Sequence, residues 1–236
     1  MAEIFSGRNS RVTLKGTRAV KELRLQHLSP RQILNTIYAH KLAQVVLEGI
    51  ADVIQFKAVA AQPKKPIPGI KVRLPKQAAR IVQREPGKGV LVSKRVQLDE
   101  PSQAFFRHYG ETRHFRPSTC EQCSFHNSRF EETFRNHAIS LLTAAGVRGY
   151  RGWFFIPWNV GVTPDGRKVF FEVCRDNQAN IETRVSVRNY GHNFPPDKAR
   201  RLRKIMREYK YLATRLTSKE LKKRKNGTTE REEEGK

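Results

Sequence analysis

The amino-acid sequence predicts an α+β fold: a C-terminal three-stranded antiparallel sheet packed on one long helix, beside a mixed N-terminal module. Three observations carry this expectation. First, residues 149–189 contain three short runs of strand character, Gly149–Pro157 (GYRGWFFIP), Lys168–Cys174 (KVFFEVC) and Ile181–Asn189 (IETRVSVRN). In the third, Ile181, Thr183, Val185 and Val187 alternate with Glu182, Arg184, Ser186 and Arg188, the period of a half-buried strand. Second, an amphipathic helix follows from Pro195. Ala199, Leu202, Ile205, Met206, Tyr209, Leu212, Ala213 and Leu216 recur at helical spacing, and Lys198, Arg200, Arg201, Arg203, Lys204, Arg207 and Lys210 cover most of the remaining surface. Third, the N-terminal half mixes one helical pattern with short alternating runs.

In chain order, residues 1–28 form a basic segment. Arg8, Arg11, Lys15, Arg18, Lys21 and Arg24 would share a face if helical, and Glu3 and Glu22 are the acids there. That composition suits an organellar transit segment or a basic arm that docks on nucleic acid. Ser29-Pro30 is a helix start, and Leu34, Ile37, Tyr38, Leu42, Val45 and Val46 continue it to about Glu48. Ala51–Ala61 is apolar and reads as helix or strand. Proline density breaks the chain at Gln62–Gly69; the runs IKVRL and VLVSKRVQL within Ile70–Leu98 then read as strands, with a turn at Pro86-Gly87. Glu100–Asn127 is loop-like and rich in histidine and arginine, closing a mixed module over 29–127 of no assigned fold. Ser128–Ala145 reads as a helix ended by Gly146, opening a second unit over 128–217. The charged tail, 218–236, is too poor in apolar residues to fold by itself and is predicted to be disordered.

Charge narrows the function. The 236 residues carry 46 Lys+Arg against 22 Asp+Glu, a formal net charge of +24. Such a surface repels itself, and each phosphate it neutralises releases a counterion, so nucleic acid is the expected partner. No stretch approaches the ~20 apolar residues of a membrane-spanning helix. Three cysteines, Cys120, Cys123 and Cys174, argue against a secreted disulfide scaffold. In a three-stranded sheet, the helix-free face would present Arg151 and Trp153 from the first strand, Lys168 from the second, and Arg184 and Arg188 from the third.

The runs GVRGYRGW (Gly146–Trp153), KVFFEV (Lys168–Val173), RVSVRNYG (Arg184–Gly191) and KARRLRKIMREYK (Lys198–Lys210) together resemble an Apetala-two DNA-binding domain, with the apicomplexan branch of that family the closest in pattern. The resemblance covers about a quarter of the chain, and Ser186–Gly191 is its most specific piece. It implies that the sheet grips nucleic acid, with Arg148, Arg151, Trp153, Lys168, Arg184 and Arg188 as contacts; Arg200 and Arg203 on the helix extend the set. Members that look like components of organellar ribosomes suggest an RNA-binding structural protein among neighbouring proteins in a mitochondrial or other organellar ribonucleoprotein. The alternative is a nuclear, sequence-specific transcription factor.

Cys120-x-x-Cys123 is half of a zinc site; His114 and His126 flank it as candidate ligands, with His108 and His137 also near. Asp165 and Glu172 faintly echo a metal-dependent nuclease, with Cys174 standing where a catalytic lysine would be expected. No serine–histidine–acid set or phosphate-cradling glycine loop accompanies them, so a non-enzymatic binder is expected.

Overall fold

The computed structural model describes residues 4–6, 10–15, 18–24, 30–55, 57–59, 88–94, 96–112, 116–148, 159–173 and 179–233. Among them are strands β1 (Ile4–Ser6), β2 (Ser10–Lys15) and β3 (Arg18–Arg24), helix α1 (Pro30–Val46), and strands β4 (Asp52–Val53), β5 (Lys57–Val59) and β6 (Lys88–Lys94). Helices α2 (Glu100–Thr112), α3 (Glu121–Ser128) and α4 (Glu132–Ala144) follow. Strands β7 (Val147–Arg148), β8 (Val160–Val162), β9 (Lys168–Phe170) and β10 (Asn180–Ile181) lead to helices α5 (Arg184–Asn193) and α6 (Pro196–Glu233). The α+β class is therefore as expected.

The core is built around α1. Apolar residues recur almost all round this helix, so it is buried almost all round: Ile33, Leu34, Ile37, Tyr38, Leu42, Val45 and Val46 lose nearly all contact with solvent. Gly49, at φ +87°, supplies the left-handed turn that follows. Leu202, Met206, Tyr209, Leu212 and Leu216 of α6 pack into the same cluster, with Ala138 and Leu142 of α4 and Tyr190 of α5. Tyr38 and Tyr209 meet at a ring separation of 5.6 Å. Polar groups inside this core are paired. The Tyr209 hydroxyl donates to Asn35 Oδ1 (2.8 Å), and Asn35 Nδ2 donates to the Ala179 carbonyl (2.8 Å). His40 Nδ1 donates to the Ile54 carbonyl (2.8 Å) while its Nε2 accepts from the Val173 N–H (3.4 Å), which sets the tautomer.

Three sheets are present among the described residues. One is antiparallel and five-stranded, in the order β1-β2-β3-β6-β5. A second is the antiparallel pair β7–β10. The third, β4-β9-β8, is mixed: β9 pairs antiparallel with β8 and parallel with β4. The β8–β9 hairpin turns through Pro164-Asp165-Gly166, with Gly166 at φ +81°, a conformation that favours glycine.

Several expectations are corrected. Arg184–Asn193 is helical, where alternation predicted the end of a third strand; β10 stops at Ile181. Val187 (partly buried), Tyr190 and Phe194 (both buried) lie three and four residues apart, and the Tyr190 hydroxyl donates to the Ala145 carbonyl (2.8 Å). Helical spacing over this stretch overrides the two-residue period before it. Among the described residues of the second expected strand, Lys168–Phe170 is extended; Cys174 and Gly149–Pro157 lie outside the described residues. Ile4–Ser6, Ser10–Lys15 and Arg18–Arg24 are strands, so the shared basic face that a helix would give does not arise in them. Glu100–Asn127 contains α2 and most of α3 rather than a loop. The helix of the last third continues to Glu233, where a disordered tail was expected; Lys, Arg, Glu and Leu are good helix formers and dominate that run. Finally, α1 and α6 were assigned to separate units, yet they share one core.

Candidate functional site

Two surface features carry chemistry. The first is the outer half of α6. Its apolar stripe faces α1, which leaves Arg200, Arg201, Arg203, Lys204, Arg207, Lys210 and Arg215 exposed on the opposite half. Some of this charge is neutralised. Arg201 pairs with Glu48 (2.6 Å), Lys198 donates to the Glu48 carbonyl (3.0 Å), and Arg200 pairs with Asp197 (3.3 Å). Glu208, the remaining acid on this stretch, pairs with Lys41 (3.4 Å). Arg203, Lys204, Arg207 and Lys210 meet no carboxylate within ion-pair distance among the described residues. Like charges one turn apart, such as Arg200 and Lys204 or Arg203 and Arg207, destabilise a helix by a few tenths of a kcal/mol per pair, which a bound polyanion would relieve.

The second feature is a cluster of soft metal donors between α2 and α3. Asp99 caps α2, its carboxylate accepting from the Ser102 N–H (3.0 Å), and the helix then brings His108 toward α3. Cys120 is the N-cap of α3, with extended backbone (φ −126°, ψ 118°), and its Sγ accepts from the Cys123 N–H (3.4 Å). His108 Nε2 lies 3.3 Å from Cys120 Sγ. The donor atoms of His108, Cys120 and Cys123 all fall within 4.8 Å of one another, the one group of three or more such residues among those described. The backbone N–H of Cys123 holds the Cys120 thiol below the usual range, while burial pushes the Cys123 thiol up. The cluster could hold a metal ion. Two thiol sulfurs and one imidazole, near the ~3.8 Å donor spacing that tetrahedral bonds of ~2.3 Å require, form a fitting donor set.

The structure distributes the predicted residues unevenly. Arg200 and Arg203 share α6, and Arg188 is exposed on neighbouring α5. Arg203 reaches back toward α5: a Cβ at Gly191 would lie 3.0 Å from its guanidinium. Arg148 is committed elsewhere, paired with Glu182 across β7–β10 and donating to the Thr143 carbonyl (2.9 Å). Lys168 lies over the Phe134 ring (4.1 Å). Arg184 begins α5, while Arg151 and Trp153 lie outside the described residues. Of the expected metal ligands, Cys120 and Cys123 come together and His114 lies outside the described residues. His126 is not in the cluster: its ring stacks on Phe105 at 3.9 Å, and its Nε2 donates to the Val160 carbonyl (3.1 Å). The imidazole in the cluster is that of His108, from α2. The acids of the nuclease reading are placed differently. Asp165 sits in the β8–β9 turn, held by Thr163 and Arg167, and neither it nor Glu172 belongs to the metal-donor group. Among the described residues, no helix is long and apolar enough to cross a membrane. No protein-family model matches this chain, and no curated protein matches it.

Proposed function

We propose that this protein binds nucleic acid without catalysing a reaction, and that it does so with the outer half of α6. One observation carries the reading: four adjacent basic side chains, Arg203, Lys204, Arg207 and Lys210, project from a helix anchored in the core, without a carboxylate partner among the described residues. RNA is favoured over DNA because the excess charge runs through the whole chain, +24 in all, as suits a structural component of a ribonucleoprotein such as an organellar ribosome. Sequence-specific DNA binding in the nucleus is the second reading and draws on the Apetala-two resemblance. Because Arg184–Gly191 is helical, the grip moves from the sheet face to α6, with Arg188 at its flank. Of the three strands that resemblance implies, Lys168–Phe170 is a strand among the described residues, and it lies in a mixed sheet between β4 and β8. The test is binding of the full chain to random RNA and duplex DNA across a salt series. Replacing Lys204 and Arg207 together by glutamine should weaken binding and flatten the salt dependence while leaving the circular dichroism spectrum unchanged. Equal binding by parent and double variant would overturn the assignment of α6.

Zinc is the ion we propose for His108, Cys120 and Cys123, since paired thiolates with imidazole select it over hard cations. His114 remains the sequence's candidate for a fourth ligand. Cobalt substitution tests the site: tetrahedral thiolate coordination gives intense visible absorption, which His108→Ala should diminish. An unchanged spectrum in that variant would exclude His108.

A further inference from the structure

Two large apolar side chains are exposed among the described residues, Phe125 (53%) and Tyr211 (44%). Each has an arginine one helical turn further on lying against its ring: Arg129 at 5.8 Å from the Phe125 centroid and Arg215 at 5.3 Å from that of Tyr211. Their settings differ. Arg129 is already committed to Asp99. Tyr211 stands on the basic face, fourth in the stripe Arg200, Lys204, Arg207, Tyr211, Arg215, each three or four residues after the last, of which Arg200 is paired with Asp197. At 1.5 Å per residue the stripe is about 22 Å long. Glu208, the nearest acid in sequence, is turned to Lys41.

A cationic stripe alone takes any polyanion, and a lysine at position 211 would add one more phosphate contact. An aromatic ring there offers what lysine cannot, a flat face for a nucleobase. Only an unpaired base can use it, because in a duplex both faces of each base are covered by its neighbours. The deep, narrow major groove of duplex RNA also excludes side chains. Arg215 adds cation–π attraction to a stacked base, as it does to the ring.

We infer that Tyr211 is a stacking platform for an unpaired base and that this face of α6 takes single-stranded RNA in preference to duplex; the inference rests on the nucleic-acid reading above. Fluorescence anisotropy tests it, with the full chain and a short labelled RNA offered alone and annealed to its complement. Tyr211→Leu keeps an apolar side chain and loses the ring; Tyr211→Phe keeps the ring. The expected result is tighter binding of the single strand by the parent, a loss of about tenfold or more in Tyr211→Leu, and near-parental binding in Tyr211→Phe. Single-strand binding by Tyr211→Leu equal to the parent, with binding lost in Lys204→Gln/Arg207→Gln, would overturn the stacking role and leave the nucleic-acid reading standing. Duplex bound as tightly as single strand by the parent would overturn the preference. Binding of neither form would overturn both proposals.

Discussion

Asp99 joins three pieces of structure. Its carboxylate caps α2 and receives the Arg129 guanidinium, and its backbone N–H donates to the Val162 carbonyl (2.8 Å). Burial raises its pKa, but the hydrogen bonds from Arg129 and Ser102 outweigh burial, so the carboxyl is held below the usual range. A carboxyl lowered in the folded state adds stability above its unfolded pKa of about 3.9, and that stability is lost as pH falls through the folded value. Urea midpoints measured from pH 7 down to pH 3 should therefore fall less steeply at the acid end in Asp99→Asn than in the parent. Arg129→Met should cost about 1–3 kcal/mol at neutral pH by stranding the carboxylate. Tyr209→Phe is a second case: it leaves Asn35 Oδ1 buried without its 2.8 Å donor, and should cost about 1–3 kcal/mol in chemical denaturation. Close approach occurs at Gly161, where a Cβ would lie 2.8 Å from Leu98 Cδ2 and 3.2 Å from the Phe171 ring. Both contacts are the ends of partly buried side chains that can turn aside, so Gly161→Ala should change stability by less than about 1 kcal/mol, read as a small shift in melting temperature.

Elements with one clear period were legible in the sequence, and those with two competing periods were not. The burial of α1 and α6 follows directly from residues such as Leu34, Ile37, Leu202 and Met206. The third strand failed because Ile181–Val187 alternates for seven residues before Tyr190 and Phe194 impose helical spacing. Helix α3 was hidden because the side chains it buries are Cys123 and His126, which do not register as an apolar stripe. The metal cluster was half legible for the same reason: the Cys120–Cys123 spacing is visible in the chain, but the choice of His108 over His126 depends on a helix that pairs Phe105 with His126 and turns His108 toward the sulfurs. The contribution of α2 and α3 can be measured. Added zinc should raise the melting temperature in a concentration-dependent way, by mass action on the folded state, and a chelator should reverse it. In Cys120→Ser that response should be lost. Within α6 the two faces separate experimentally: Leu202→Ala should cost about 2–5 kcal/mol of stability, while Lys204→Gln should leave stability within about half a kcal/mol of the parent.

At the scale of the whole molecule, charge and core are laid out independently. The net charge of +24 is met by few internal carboxylates near α6, so the proposed association with nucleic acid should depend steeply on salt. On a plot of log affinity against log salt for single-stranded RNA, each lost phosphate contact removes a slope of about 0.7, and the Lys204/Arg207 double variant should lose about 1.4. The core, by contrast, joins segments far apart in the chain: the bond between Tyr209 and Asn35 spans 174 positions. During synthesis at roughly 5–20 residues per second, α1 would emerge roughly 10–35 seconds before the helix that covers it. Until then its oily flank has to be sheltered by something other than its final neighbour, so nascent chains halted short of Leu202 should be sticky and should recruit holding chaperones.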